Sequence, residues 1–153
     1  MESLNPRTRW VWVAYGVIWG VVGALILVAV DNWIRSVPTA AIGGTGAVLA
    51  ILGMLYGARR YQVWQFELQE DALYLERGVV TFIETAVPFV RVQHVDTQFG
   101  PLERALGLSS VVVYTAGSRN ADVRVPGLKP ERARKLQNTL RELAVESDTE
   151  DAV

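Results

Sequence analysis

The chain has 153 residues, half of them hydrophobic, and a formal net charge of −1 at pH 7. A charge so close to zero gives no overall attraction for nucleic acid, so we expect no nucleic-acid partner. The sequence has no cysteine and a single histidine, which excludes disulfides and thiolate metal sites. We therefore expect neither a metal nor a cofactor.

Two uncharged apolar segments occupy the first part of the chain, at residues 10–30 and 37–58. The first is long enough to cross a hydrocarbon core of about 30 Å, and the second is richer in glycine. We predict a transmembrane hairpin over residues 1–60, with a tight turn at residues 31–36. A cleaved signal peptide would have a shorter apolar run. Helices buried in a soluble protein are the other alternative, but these segments are apolar on all sides.

Arginines flank the predicted hairpin at its two outer ends. Arg7 and Arg9 precede the first segment, and Arg59 and Arg60 follow the second. The positive-inside rule therefore predicts a cell-membrane protein with two spans, whose termini and following domain are cytoplasmic. Aromatic residues favour the membrane interface, and those expected there are Trp10, Trp12, Trp33, Tyr56, Tyr61 and Trp64.

Glycines recur at a four-residue interval in both apolar segments, as Gly16 and Gly20 and as Gly53 and Gly57. This spacing allows helix backbones to approach closely. We interpret it as packing of the two helices against each other, and a dimer interface is the alternative. Neither segment contains an ionisable residue, which argues against an ion or proton pathway.

After residue 60, apolar and polar residues alternate, which indicates strands. We predict a domain over residues 61–144, and a disordered acidic tail over residues 145–153. A short helix is expected at residues 100–107. A last helix begins at Pro130, with an apolar stripe to bury against a sheet. The strands are predicted at residues 63–69, 72–77, 79–87, 90–98, 111–115 and 121–125.

The second half of the chain carries a series of motifs that resembles the prokaryotic pleckstrin-homology-like (PH-like) domain of YdbS-like membrane proteins. His94 departs from the pattern, which would have a small polar residue there. The residues that carry the resemblance are Pro88, Arg91-x-Gln93, Gly100-x-Leu102-x-Arg104-x-Leu106-Gly107-Leu108, and Leu128 with Ala133 and Leu136.

The resemblance implies an α+β membrane protein. Its N-terminal two-helix transmembrane hairpin would be followed by a PH-like antiparallel β half-barrel that is capped by a C-terminal α-helix. Domains of this kind are usually binding platforms, and the resemblance transfers no catalytic residue. The loop between the first two predicted strands is acidic, at Glu70 and Asp71, so phosphoinositide binding is not expected.

The remaining polar residues suggest binding more than chemistry. His94 and Asp96 would share one face of a strand, and we interpret His94 as a surface histidine. Arg132, Arg134 and Lys135 form a basic face on the last helix, open to anionic headgroups or to a partner. We expect a non-enzymatic module that mediates protein–protein contact or self-association at the cytoplasmic membrane face. Sensing of anionic lipid is the alternative.

Overall fold

The computed structural model describes residues 1–34, 38–117 and 122–150. The chain divides into two compact units. The first, the hairpin, is Arg9–Gln62, and the second, the domain, combines Met1–Thr8 with the chain from Val63 onward. The N-terminal segment therefore belongs to the domain, whereas the sequence had assigned it to the hairpin.

The hairpin consists of α1 (Thr8–Ile34) and α2 (Thr39–Val63). Both are long and apolar enough to cross a membrane, and only 11% and 6% of their most apolar windows are buried within the protein. Such exposure is expected of helices that face lipid. The predicted turn at residues 31–36 is wrong for its first four residues, which continue α1 because no helix breaker interrupts them. Arg35 and Ser36 lie outside the described residues.

Glycines set the spacing between the two helices. A Cβ added to Gly16 would lie 2.4 Å from the carbonyl carbon of Gly53, and one added to Gly57 would lie 2.8 Å from that of Trp12. A Cβ on Gly20 would lie 2.7 Å from the Cβ of Ala50. The four glycines of the two motifs thus lie where α1 and α2 face each other, at separations that exclude a side chain.

The domain contains two antiparallel sheets, one of four strands and one of three. The first has the order β1 (Glu2–Ser3), β2 (Gln65–Leu68), β3 (Ala72–Arg77) and β4 (Ile83–Pro88). The second has the order β5 (Val92–Gln98), β6 (Ser109–Thr115) and β7 (Val123–Leu128). The helices are α3 (Pro101–Ala105), between β5 and β6, and α4 (Pro130–Glu150), which follows β7. The predicted fold class is confirmed.

The core of the domain forms where the inward faces of the strands meet one face of α4. The apolar stripe predicted on this helix is largely buried, since Ala133, Leu136 and Leu140 have no exposed surface. Leu73 of β3 and Val113 of β6 are equally buried. Burial of such side chains stabilises the domain by about 1.5–3 kcal/mol each, as an upper estimate.

Several predicted strand boundaries differ from the structure by one to three residues, and two boundaries in the domain differ by more. The strand predicted at residues 79–87 begins only at Ile83, because the chain first makes a tight turn. Gly78 has φ +105° in this turn, and a Cβ added to it would lie 1.9 Å from the Thr81 carbonyl oxygen. The predicted disordered tail is wrong for residues 145–150, which continue α4. Within this last turn the Thr149 hydroxyl donates to the Val145 carbonyl at 2.8 Å.

Strand β1 was absent from the sequence prediction and pairs with the start of β2, with Glu2 opposite Phe66. The segment Met1–Thr8 is bound further along the domain at Gly127. There the carbonyl oxygen accepts from the Asn5 amide at 3.1 Å and from the Thr8 hydroxyl at 3.2 Å. Thr8 is only 1% exposed. The N-terminal segment thus contacts both sheets of the domain.

Charged groups also hold the N-terminal segment. The Met1 ammonium lies 2.9 Å from the Glu67 carboxylate and, with the Gln69 amide, holds the pKa of that carboxyl below its usual value. Arg132 donates from Nε to Glu2 at 3.0 Å and from Nη2 to the second carboxylate oxygen. Hydrogen bonding to Glu2 raises the pKa of Arg132.

Candidate functional site

A cleft of about 530 Å³ opens between the start of β5 and the last turns of α4. This volume falls within the range of sites that bind small molecules or side chains. Val90 and Val145 expose 45% and 69% of their surfaces, and both line the cleft. Arg141 and His94 supply its polar groups. The cleft therefore combines apolar walls with one permanent positive charge.

Strand β5 is an edge strand, paired only with β6 in the order of its sheet. Gln137 of α4 covers its middle, because the side-chain amide donates to the Val95 carbonyl at 2.7 Å. The Thr97 hydroxyl donates back to Gln137 at 3.0 Å. Covering an edge in this way prevents unwanted pairing. The part of β5 that lines the cleft begins at Val92, three residues before the Val95 carbonyl to which Gln137 donates.

His94 lies at the surface, as the sequence predicts. Its Nε2 is 2.7 Å from the Asp96 carboxylate, and the two side chains are 56% and 43% exposed. The ring of Tyr114 is 5.9 Å away, centroid to centroid. The carboxylate can orient the imidazole, but both groups remain open to water. An exposed pair of this kind suits hydrogen bonding to a bound group.

The structure changes the interpretation of two residues, one predicted at the membrane interface and one predicted as a headgroup or partner contact. Trp64 is only 3% exposed, and its ring lies edge-on to Phe66 at 6.3 Å. It is a core residue, because alternation along β2 places it on the same face as Phe66. Arg132 forms an ion pair with Glu2, and a headgroup would have to compete with this carboxylate. Arg134 and Lys135 remain exposed on α4.

Most of the other predicted interface residues are exposed, whereas Trp12 and Tyr61 are half-buried. Trp10 and Trp33 expose 55% and 93% of their surfaces. The guanidinium of Arg9 lies 5.0 Å from the Trp10 ring, and that of Arg60 lies 4.7 Å from the Trp12 ring. These cation–π contacts are typical of flanking residues at a membrane surface. Two further arginines, Arg7 and Arg59, are also exposed.

A buried polar network, which the sequence did not reveal, joins α3 to the second sheet. Glu103 is 7% exposed and accepts from the Ser110 hydroxyl at 2.5 Å, from Arg124 at 3.2 Å, and from the Gly100 amide at 3.1 Å. Arg124 also donates to Ser110 at 2.8 Å. Every member has a partner, so the network stabilises this corner of the domain.

Replacing Glu103 with glutamine should lower the free energy of unfolding by about 2 kcal/mol, because the side chain loses its charge and one of the two oxygens that accept from Ser110, Arg124 and Gly100. Chemical denaturation of the full chain in detergent measures this. Glu131→Gln, on the exposed first turn of α4, is the matched control and should change stability by less than about 0.5 kcal/mol. Equal effects of the two substitutions would contradict a stabilising role for the network.

Metal binding has no support in the described part of the chain. No three histidine or acidic side chains within residues 1–34, 38–117 and 122–150 are grouped so that they could hold an ion. A second cleft, of about 470 Å³, lies between the β2–β3 turn and the end of α4. Its lining includes Glu70, Asp71 and Glu146, so it disfavours anionic ligands.

Comparison with known proteins identifies the family. The bacterial PH domain family matches residues 11–144, which include both helices of the hairpin and the domain from β2 well into α4. The chain belongs to the bacterial PH domain family. This membership accounts for the two sheets and the C-terminal helix, and it confirms the resemblance inferred from the motifs.

One curated relative covers almost the whole chain. The UPF0699 transmembrane protein YdbS of Bacillus subtilis (strain 168) is 29% identical over 156 residues, which cover 96% of this chain and 94% of the relative. No solved structure matches the chain. With its two apolar helices, this bacterial PH protein is a membrane protein with two spans.

Proposed function

We propose that this protein is a non-enzymatic, membrane-anchored module whose PH-like domain binds a protein partner at the cytoplasmic face. The observation that supports this is the cleft between β5 and α4, where apolar walls meet Arg141 beside the first residues of the edge strand β5. An extended peptide can add to such an edge by main-chain hydrogen bonds, with side chains in the adjoining pocket. The cleft favours a peptide with an apolar side chain and a nearby carboxylate.

The proposed cytoplasmic orientation follows from the flanking charges. Arg7 and Arg9 lie at the start of α1, and Arg59 and Arg60 lie near the end of α2, whereas the charges of Asp31 and Arg35, which follow the first apolar segment in the sequence, cancel. Positive charge favours the cytoplasmic side of a span. The N-terminal segment packs into the same unit as the chain after α2, as two spans require.

Photocrosslinking in native membranes tests the partner directly. A photoreactive amino acid at Val145, on the exposed rim of the cleft, should give discrete protein adducts. Val90→Asp in the same chain should abolish them, because the new carboxylate replaces an apolar wall of the cleft and competes with a ligand carboxylate for Arg141. Glu142, on the neighbouring face of α4, is the control position and should give no such adducts.

The outcomes separate a foreign partner from self-association. An adduct of twice the chain mass would show that a second copy occupies the cleft, which is the self-association form of the proposal. Adducts of equal yield at positions 142 and 145, or none at position 145, would contradict binding in this cleft.

Headgroup sensing is a second candidate, favoured by the exposed pair Arg134 and Lys135 on α4. Each cation near an anionic surface contributes about 1 kcal/mol. Removal of residues 1–58 would delete β1 along with the hairpin, so the test requires the full chain. In nanodiscs, Arg134→Gln with Lys135→Gln should reduce the enrichment of anionic lipid around the protein. Unchanged lipid composition would exclude this role.

A further inference from the structure

The turn between β3 and β4 exposes apolar side chains. We call residues 78–82 the β3–β4 loop. Val80 is 92% exposed and Phe82 is 55% exposed, and Ile83, the first residue of β4, is 44% exposed. Clustered apolar exposure of this kind marks a surface that contacts another molecule or a membrane.

The register of the first sheet places this loop at one end of the sheet. Gln65 pairs with Glu76, and Glu76 pairs with Glu84, so the three residues form a row across β2, β3 and β4. The β3–β4 loop lies beyond this row on one side. The β2–β3 turn, at residues 69–71, lies at the opposite end of the strands.

Strand β1 ends, and strand β2 begins, at the end of the sheet that carries the loop. Both connections between this sheet and the hairpin therefore start from that end. Ser3 pairs with Gln65, so β1 runs toward this end before the chain enters α1. Helix α2 ends at Val63, two residues before β2 begins. Neighbouring strands are about 4.8 Å apart, so β4 lies about 10 Å across the sheet from β2.

The connection from the membrane span to β2 is short. Residues 59–64 follow the uncharged segment, and α2 continues through most of them. At about 1.5 Å of rise per residue, this connection is about 10 Å long. The polar interface of a bilayer is about 5–8 Å thick on each side. A connection of this length permits a loop at this end of the sheet to reach that interface.

We propose that the β3–β4 loop inserts its apolar tip into the interface of the membrane that the hairpin spans. Val80 and Phe82 would enter the boundary between headgroups and acyl chains. Arg77, paired with Ile83 at the base of the loop, would face lipid phosphates. The nearest carboxylates, Glu76 and Glu84, lie one row farther from the tip and would stay in water. This contact is independent of the proposed partner cleft.

Site-specific fluorescence in vesicles tests the insertion. The chain has no cysteine, so Val80→Cys allows a single environment-sensitive fluorophore to be attached. In phosphatidylcholine vesicles that contain the full-length protein, nitroxide-bearing lipids should quench this label strongly, and aqueous iodide should quench it weakly. Glu70→Cys, in the turn at the opposite end of the strands, is the matched control and should show the reverse.

A second substitution keeps the test decisive. Phe82→Ser in the labelled chain should lower the ratio of lipid-quenched to unquenched label by about tenfold, because burial of one large apolar side chain shifts an equilibrium by at least that factor. Phe82 is largely exposed, so the domain should still fold. Equal lipid quenching at positions 70 and 80 would overturn the proposal. Protection of position 80 from iodide without lipid quenching would overturn it too, and would indicate a protein contact.

Discussion

Replacing Gly127 with alanine should destabilise the domain by about 3 kcal/mol, one of the largest effects expected of any single substitution. Gly127 has φ +65°, and a Cβ at this position would lie 1.9 Å from Thr8 Oγ1 and 2.6 Å from its Cγ2. The left-handed conformation costs an L-residue about 1–2 kcal/mol, and overpacking costs about 1–3 kcal/mol more. Urea unfolding of the full chain in detergent measures the sum.

Gly107 provides a matched control for the backbone effect. Its φ is +66°, almost the same as that of Gly127, but an added Cβ would meet no atom within 4 Å. Gly107→Ala should therefore cost only the conformational part, about 1–2 kcal/mol. Equal losses at the two glycines would show that contact with Thr8 contributes nothing.

A double-mutant cycle isolates the contact between Thr8 and Gly127. Thr8→Ala removes both atoms that crowd the new methyl group most closely, but it also removes the hydroxyl that donates to the Gly127 carbonyl. The double variant should be about 1–2 kcal/mol more stable than the sum of the two single changes predicts, as is usual for residues in contact. Simple additivity would contradict the proposed packing.

Sequence patterns predicted the elements whose side chains alternate over several residues. Strand β3 begins and ends at the predicted residues, because a two-residue period is bounded by turn residues on both sides. Strand β1 is only two residues long, too short to show an alternating pattern. It forms by pairing with β2, from which it is separated in the sequence by both helices of the hairpin. The Pro126-Gly127 dipeptide favours a turn-like backbone conformation near that contact, but it does not indicate pairing with the N-terminal segment.

The candidate cleft was less predictable than the fold. Its walls come from residues 90–95 and 141–145, which are brought together only by the packing of α4 on β5. Trp64 was misassigned because a tryptophan beside a span resembles an interface anchor, although the alternation of β2 already places it with Phe66. The pairing of Arg132 with Glu2 depends on a tertiary contact between the two ends of the chain.

Replacing Gly53 with alanine should separate the two membrane helices. A Cβ on Gly53 would lie 2.6 Å from the Cα of Gly16 and 3.0 Å from its carbonyl oxygen. These are backbone atoms, so no side-chain rotation can relieve the contact. The helices must move apart and lose packing along the whole crossing, at a cost of about 1–3 kcal/mol. Spin labels at Val21 and Leu52, both exposed, should report a longer and broader distance distribution.

Gly44 is the matched control in the same helix, because an added Cβ would have no neighbour within 4 Å. Gly44→Ala should leave the distance unchanged and gain up to about 1 kcal/mol from higher helix propensity. The comparison also decides between the two roles of the glycines. If they formed a dimer interface instead, Gly53→Ala would change the oligomeric mass in detergent and leave the distance within one chain as it was. If they pack α1 against α2, the distance changes and the mass does not.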